Sequence, residues 1–126
     1  MKKLKIGIDL DGTITASDQS IAFFRLLTTC LYDHAEIHII THRELGSEAA
    51  VSQELHELGI RYHHLAITGN KADYITGRGI NIFFEDTDEY FLELQEAVTV
   101  FKIREDGNFS FDDKKWIGST RTTLLI

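Results

Sequence analysis

The chain of 126 residues carries 13 lysines and arginines against 20 aspartates and glutamates, a formal net charge of −7 without a basic stripe, which argues against binding to nucleic-acid backbones. With 43% hydrophobic and 26% charged residues it has the composition of one soluble globular domain, long enough for a single core and neither disordered nor membrane-embedded. The longest apolar runs are strand-length, no leader-like segment precedes the first of them, and Cys30 is the only cysteine, so an intramolecular disulfide is excluded and a reducing cytoplasm is the expected compartment.

Strand and helix signals alternate along the chain, with no repeat or linker. Residues 4 to 9 read as a buried parallel strand. Asp18 is positioned to cap a helix reaching about Tyr32, with Ile21, Phe24, Leu27 and Leu31 on its apolar face and Cys30 expected inside. A second strand covers 36 to 41. Ser47 opens a helix carrying Val51, Leu55 and Leu58, and Gly59 closes it. A third strand covers about 60 to 67, a short helix 71 to 77, and a fourth strand 80 to 85. Asp88 would cap a helix from about 89 to 97, and residues 98 to 103 form a fifth strand. Asp106-Gly107 is a tight-turn signal, and the alternation of Phe109 and Phe111 after it predicts an antiparallel hairpin strand. The expected architecture is one α/β domain, 1–126, with a core to 103 and a hairpin and tail over 104–126. Such sheets bind ligands at the carboxyl ends of their strands.

Asp9-Leu10-Asp11-Gly12-Thr13, directly after the run Leu4-Lys5-Ile6-Gly7-Ile8, is the most informative segment. Strand side chains repeat every two residues, so Asp9 and Asp11 point to one side, and Gly-Thr lets the backbone turn around whatever they hold. Two adjacent anions invite a cation, and they supply a carboxylate nucleophile with a nearby acid/base. The bland alternative is an acidic surface turn, for which Asp-Gly is a common dipeptide. The six histidines show no Cys/His zinc spacing, and His63 and His64, adjacent in a strand, face opposite ways.

The pentapeptide resembles motif I of the haloacid dehalogenase superfamily of phosphatases and phosphotransferases. Three further segments resemble that family's other motifs, in order: Ile37-His38-Ile39-Ile40-Thr41 for motif II, Lys71 in Gly69-Asn70-Lys71-Ala72 for motif III, and Ile80 to Asp86, ending in Glu85-Asp86, for motif IV. The resemblance implies a doubly wound, Rossmann-like five-stranded parallel sheet, with the first strand central between the second and fourth. It further implies a phosphatase that hydrolyses a phosphate monoester through an aspartyl phosphate on Asp9, with Asp11 as acid/base, Thr41 and Lys71 binding the phosphoryl group, and Gly12 and Thr13 binding substrate at the turn. Mg²⁺ is the implied cofactor, held by Asp9, Asp86 and the Asp11 carbonyl, with Glu85 direct or through water; Asp88 is better placed than Glu85 for a purely capping role. His42 and Arg43 follow Thr41 into the same loop and are candidate substrate contacts. The alternatives are a nucleotidase or phosphotransferase using the same site, or a catalytically idle phosphate- or metal-binding module.

The resemblance also carries one departure. Many members have a cap domain after motif I or between motifs II and III, but here a helix follows Thr13 at once, and one helix and one strand use up the stretch from Thr41 to Lys71. The chain is therefore read as a capless member. The expected partner is a small phosphorylated substrate, and self-association, or the segment from Arg104 to Ile126, is expected to roof the crevice.

Overall fold

The computed structural model describes residues 2–94, 97–105 and 107–117. Five parallel strands, β1 (Leu4–Ile8), β2 (Ala35–Thr41), β3 (His64–Ile67), β4 (Ile82–Glu85) and β5 (Thr99–Lys102), form one sheet in the order β3-β2-β1-β4-β5. β1 lies between β2 and β4, as expected, and the fold is α/β of Rossmann-like type.

Alternation along the strands sorts the core into two layers. Ile6, Ile8, Ile37 and Ile39 face one side, where they pack with Phe24 of α1 (Asp18–Leu31) and with Val51 and Leu55 of α2 (Glu48–Leu58). Ile40 and Phe83 face the other side with Ile75 of α3 (Lys71–Arg78) and Ile80. Gly7 keeps the second layer tight. A Cβ there would stand 2.8 Å from Ile40 Cδ1, so any larger residue in mid-β1 would force the two strands' side chains apart.

Several local expectations are corrected. The cap of α1 is Ser17, whose side chain accepts the Ser20 N–H at 3.0 Å, and Asp18 is the first helical residue. Cys30 is exposed, because at about 100° per residue it falls well off the arc occupied by Phe24, Leu27 and Leu31. β3 begins at His64 instead of 60, since the Arg61 N–H is drawn to the buried Thr28 hydroxyl. β4 begins at Ile82 because the Ile80 N–H still bonds to Ile75 at the end of α3. The helix expected over 89–97 is only a single 3₁₀ turn, Asp88–Tyr90; Asp88 pairs with Lys102 instead of capping, and residues 95 and 96 lie outside the described residues. The hairpin forms, but as a separate two-stranded unit: β6 (Phe109–Ser110) pairs antiparallel with β7 (Lys115–Trp116). Asp106 and residues 118–126 lie outside the described residues. Among the described residues, no helix is long and apolar enough to cross a membrane.

Candidate active site

The carboxyl ends of the three central strands converge. Asp9 follows β1, Thr41 ends β2, Glu85 ends β4 and Asp86 comes next, while Lys71 is the first residue of α3. The Asn70 side chain accepts the Asp73 N–H at 3.2 Å, capping α3 so that its opening residue turns into the crevice. All four ionisable groups are buried: Asp9 is 3% exposed, Asp86 2%, and Lys71 and Glu85 1% each.

Lys71 Nζ donates to Asp9 Oδ1 at 2.8 Å and to Glu85 Oε1 at 2.6 Å, with the Tyr90 ring centroid 4.1 Å away. The other Asp9 oxygen, Oδ2, accepts from the Thr13 hydroxyl at 2.9 Å. Glu85 Oε2 accepts the backbone N–H groups of Asp86 and Thr87, at 3.0 and 3.2 Å. Oxygens of Asp9, Glu85 and Asp86 lie within 4.8 Å of one another.

Lys71 therefore pairs with two of three clustered, buried carboxylates, Asp9 and Glu85. Burial, reinforced by the Asp86 charge, pushes the Asp9 carboxyl up to about 6 despite Lys71 beside it. Glu85 is also raised, by burial and then by the Asp9 charge. Burial opposes the Lys71 ammonium, yet Asp9 and Glu85 outweigh it and hold Lys71 above its ordinary range. These shifts pull in opposite directions across one pair. The lysine is charged, and the clustered carboxylates offer a set of oxygen ligands that could hold a cation. A second polar demand lies alongside. The Thr41 hydroxyl oxygen is buried and has no hydrogen-bond partner among the described residues, which is costly unless a ligand supplies one.

Asp11 sits at the rim, half-buried, and does not join this cluster. Arg43 holds it through Nε at 2.6 Å and Nη2 at 2.7 Å, and Nη2 also reaches the Glu54 carboxylate at 3.2 Å. The bond to Asp11, first of all, raises the proton affinity of the guanidinium further. Gly12, at φ +81°, makes the turn just after Asp11, and its N–H donates to the Thr15 hydroxyl at 3.1 Å. His42 turns the other way: its Nδ1 shares a 2.9 Å hydrogen bond with the Tyr90 hydroxyl. Beside it opens a cleft of about 410 Å³, lined by His42, Gly69, Asn70, Lys71, Glu89 and Tyr90 among others; Asp9 reaches it only through its bond to Lys71.

Three participants escape sequence reasoning. Tyr90 falls inside what reads as a helix, Glu54 is an ordinary acid on the polar side of α2, and Asn108 lies in the tail. Asn108 is buried, and its amide nitrogen donates to the carbonyls of Ile103, at 2.6 Å, and Asp86, at 3.3 Å. Nothing in their local sequence marks these residues, since each role depends on long-range packing.

No protein-family model and no curated protein matches the chain. Solved structures do share its fold. A chain from a structure of a Pnkp1/Rnl/Hen1 complex superposes with a TM-score of 0.62 at 12% identity, covering 82% of this chain and 47% of that one. A universal stress protein in complex with cAMP superposes with a TM-score of 0.52 at 12% identity, covering 80% of this chain and 96% of that one. At this identity the likeness establishes the α/β fold alone, and this chain spans about half the length of the first of these neighbours.

Proposed function

We propose that this chain is a capless, Mg²⁺-dependent phosphatase of the haloacid dehalogenase superfamily, working in the cytoplasm on a phosphate monoester. The observation that carries the reading is the gathering of the Asp9, Glu85 and Asp86 carboxylates within 4.8 Å of one another, two of them held by buried Lys71, at the strand ends where the buried Thr41 hydroxyl has no hydrogen-bond partner among the described residues. Asp9, Asp86 and, directly or through water, Glu85 would hold Mg²⁺, which when bound supplies charge neutralisation at the phosphoryl oxygens.

In this reading an Asp9 oxygen attacks phosphorus and forms the aspartyl phosphate as the ester oxygen departs with a proton from Asp11. Asp11 then takes a proton from water, whose oxygen attacks the same phosphorus, releasing inorganic phosphate and restoring Asp9. Lys71 keeps the nucleophile ionised and offsets phosphate charge, and the Thr41 hydroxyl donates to a phosphoryl oxygen. Arg43 keeps Asp11 oriented at the rim, and His42 with Tyr90 borders the leaving-group side. With no cap, discrimination among substrates falls to the loop carrying His42 and Arg43, to the hairpin and to a second subunit.

Phosphate release from a panel of phosphorylated metabolites, nucleotides included, with and without Mg²⁺, tests the reading, and an added alcohol acceptor separates hydrolysis from phosphoryl transfer. Turnover that requires both Mg²⁺ and Asp9 is expected. Activity that survives in Asp9→Asn, or in excess chelator, overturns it.

A further inference from the structure

His38 and His64 are register partners on neighbouring parallel strands, and Glu36 lies two residues before His38 on the same face, under Tyr74 of α3. We propose that Glu36, His38 and His64 form a second cation site, selective for a nitrogen-seeking transition metal such as Zn²⁺ or Co²⁺ and separate from the carboxylate crevice. Glu36 Oε1, His38 Nε2 and His64 Nε2 can converge: Glu36 Oε1 stands 2.7 Å from His38 Nε2 and 3.5 Å from His64 Nε2, and ligand atoms of all three lie within 4.8 Å of one another. Tetrahedral zinc ligands stand about 3.3 Å apart, so small shifts suffice for the carboxylate.

The rings of His38 and His64 stack at 4.5 Å and 22°, so their lone pairs do not yet meet at one point. His38 is fully buried and fixed, whereas His64 is 42% and Glu36 31% exposed at the side-chain level, so His64 is the ligand that can swing in, and solvent can complete the shell. His38 already has its outer partner. Its Nδ1 lies 2.8 Å from the Tyr74 hydroxyl, which donates when Nε2–H points at Glu36 and accepts when a metal takes Nε2, so no buried polar atom is left unpaired in either state. Two imidazoles and one carboxylate favour Zn²⁺, Co²⁺ or Ni²⁺ over Mg²⁺ and Ca²⁺.

Titration of the chelator-treated protein with Co²⁺, in excess Mg²⁺ and in an Asp86→Ala background that weakens the crevice, reads this site by its visible d–d absorption. One Co²⁺ per chain is expected, displaced by Zn²⁺. His64→Ala and Glu36→Gln, both at accessible positions, should each weaken it by at least the about 10–100-fold that loss of even an outer-sphere partner costs. No d–d band at millimolar Co²⁺, or a band that survives both substitutions in folded protein, overturns the proposal.

Discussion

Arg43 closes on Asp11 as a fork, one nitrogen to each carboxylate oxygen, while the nitrogen at its tip is shared with Glu54 of α2. Asp11 and Arg43 come from the turns after β1 and β2, so the ion pair ties together the loops that flank the crevice. A bidentate guanidinium fixes the carboxylate's orientation as well as its charge, which a lysine cannot do.

Arg43→Ala is therefore expected to lower kcat/KM for a phosphate monoester by about 10–100-fold, because a loose Asp11 is a poorly aimed acid/base. Arg43→Lys should fall between the two, since it restores charge without the fork. Steady-state kinetics on an aryl phosphate provide the measurement, and an Ala variant within twofold of wild type refutes the positioning role.

The raised Asp9 carboxyl makes a prediction about stability without metal. Its proton is held more tightly in the folded chain, at about 6, than in the unfolded one, at 3.8, so its contribution is complete below 3.8 and lost as pH rises through 6. Asp9→Asn removes the charge that burial penalises. In chelator near pH 7.5 the variant should be more stable than wild type, by about 3 kcal/mol at most, with the gap closing toward about pH 4. Mg²⁺ should stabilise wild type more than Asp9→Asn. Chemical denaturation at several pH values checks both, and a variant less stable than wild type at neutral pH contradicts the raised Asp9 carboxyl.

Thr41→Val tests the unpartnered hydroxyl. Valine keeps the shape and β-branching of a central strand residue while deleting an oxygen that has no hydrogen-bond partner among the described residues. Stability should stay level or rise by up to about 1–2 kcal/mol, whereas kcat/KM should fall by about tenfold or more. Loss of more than about 1 kcal/mol would show that the hydroxyl already serves the fold.

How far the sequence carried the structure depended on whether a feature is local. Asp9, Thr41, Glu85 and Asp86 were legible because each ends a short apolar run, and the ends of parallel strands gather at one edge of a sheet. Tyr90 was lost because Asp88 followed by acids and spaced hydrophobics resembles a helix start; the pull of Lys102 on Asp88, and of Lys71 and His42 on Tyr90, comes from distant strands and loops. The meeting of Glu36, His38 and His64 was hidden for a related reason. Sequence spacing cannot show that positions 38 and 64 are paired until the register of β2 against β3 is known. Cys30 adjoins Leu31 in sequence but lies off the face Leu31 shares, so adjacency alone does not show its exposure.

The hairpin reaches the crevice through Asn108. Its amide nitrogen donates to the carbonyls of Ile103 and Asp86, and its oxygen accepts the Glu105 N–H at 2.8 Å, so one buried side chain joins the end of β5, the tail and the backbone of a candidate metal ligand. Asn108→Ala leaves those buried groups unsatisfied and should cost about 1–3 kcal/mol. It should also loosen the segment that carries Asp86, raising the Mg²⁺ concentration needed for half-maximal activity several-fold while leaving kcat at saturating Mg²⁺ nearly unchanged. The separation matters, because a hairpin that merely roofs the substrate would raise KM for the ester and leave the Mg²⁺ requirement where it was. Paired titrations of Mg²⁺ and of substrate on the variant distinguish the two, and an unchanged Mg²⁺ requirement with intact stability would remove Asn108 from the support of the site.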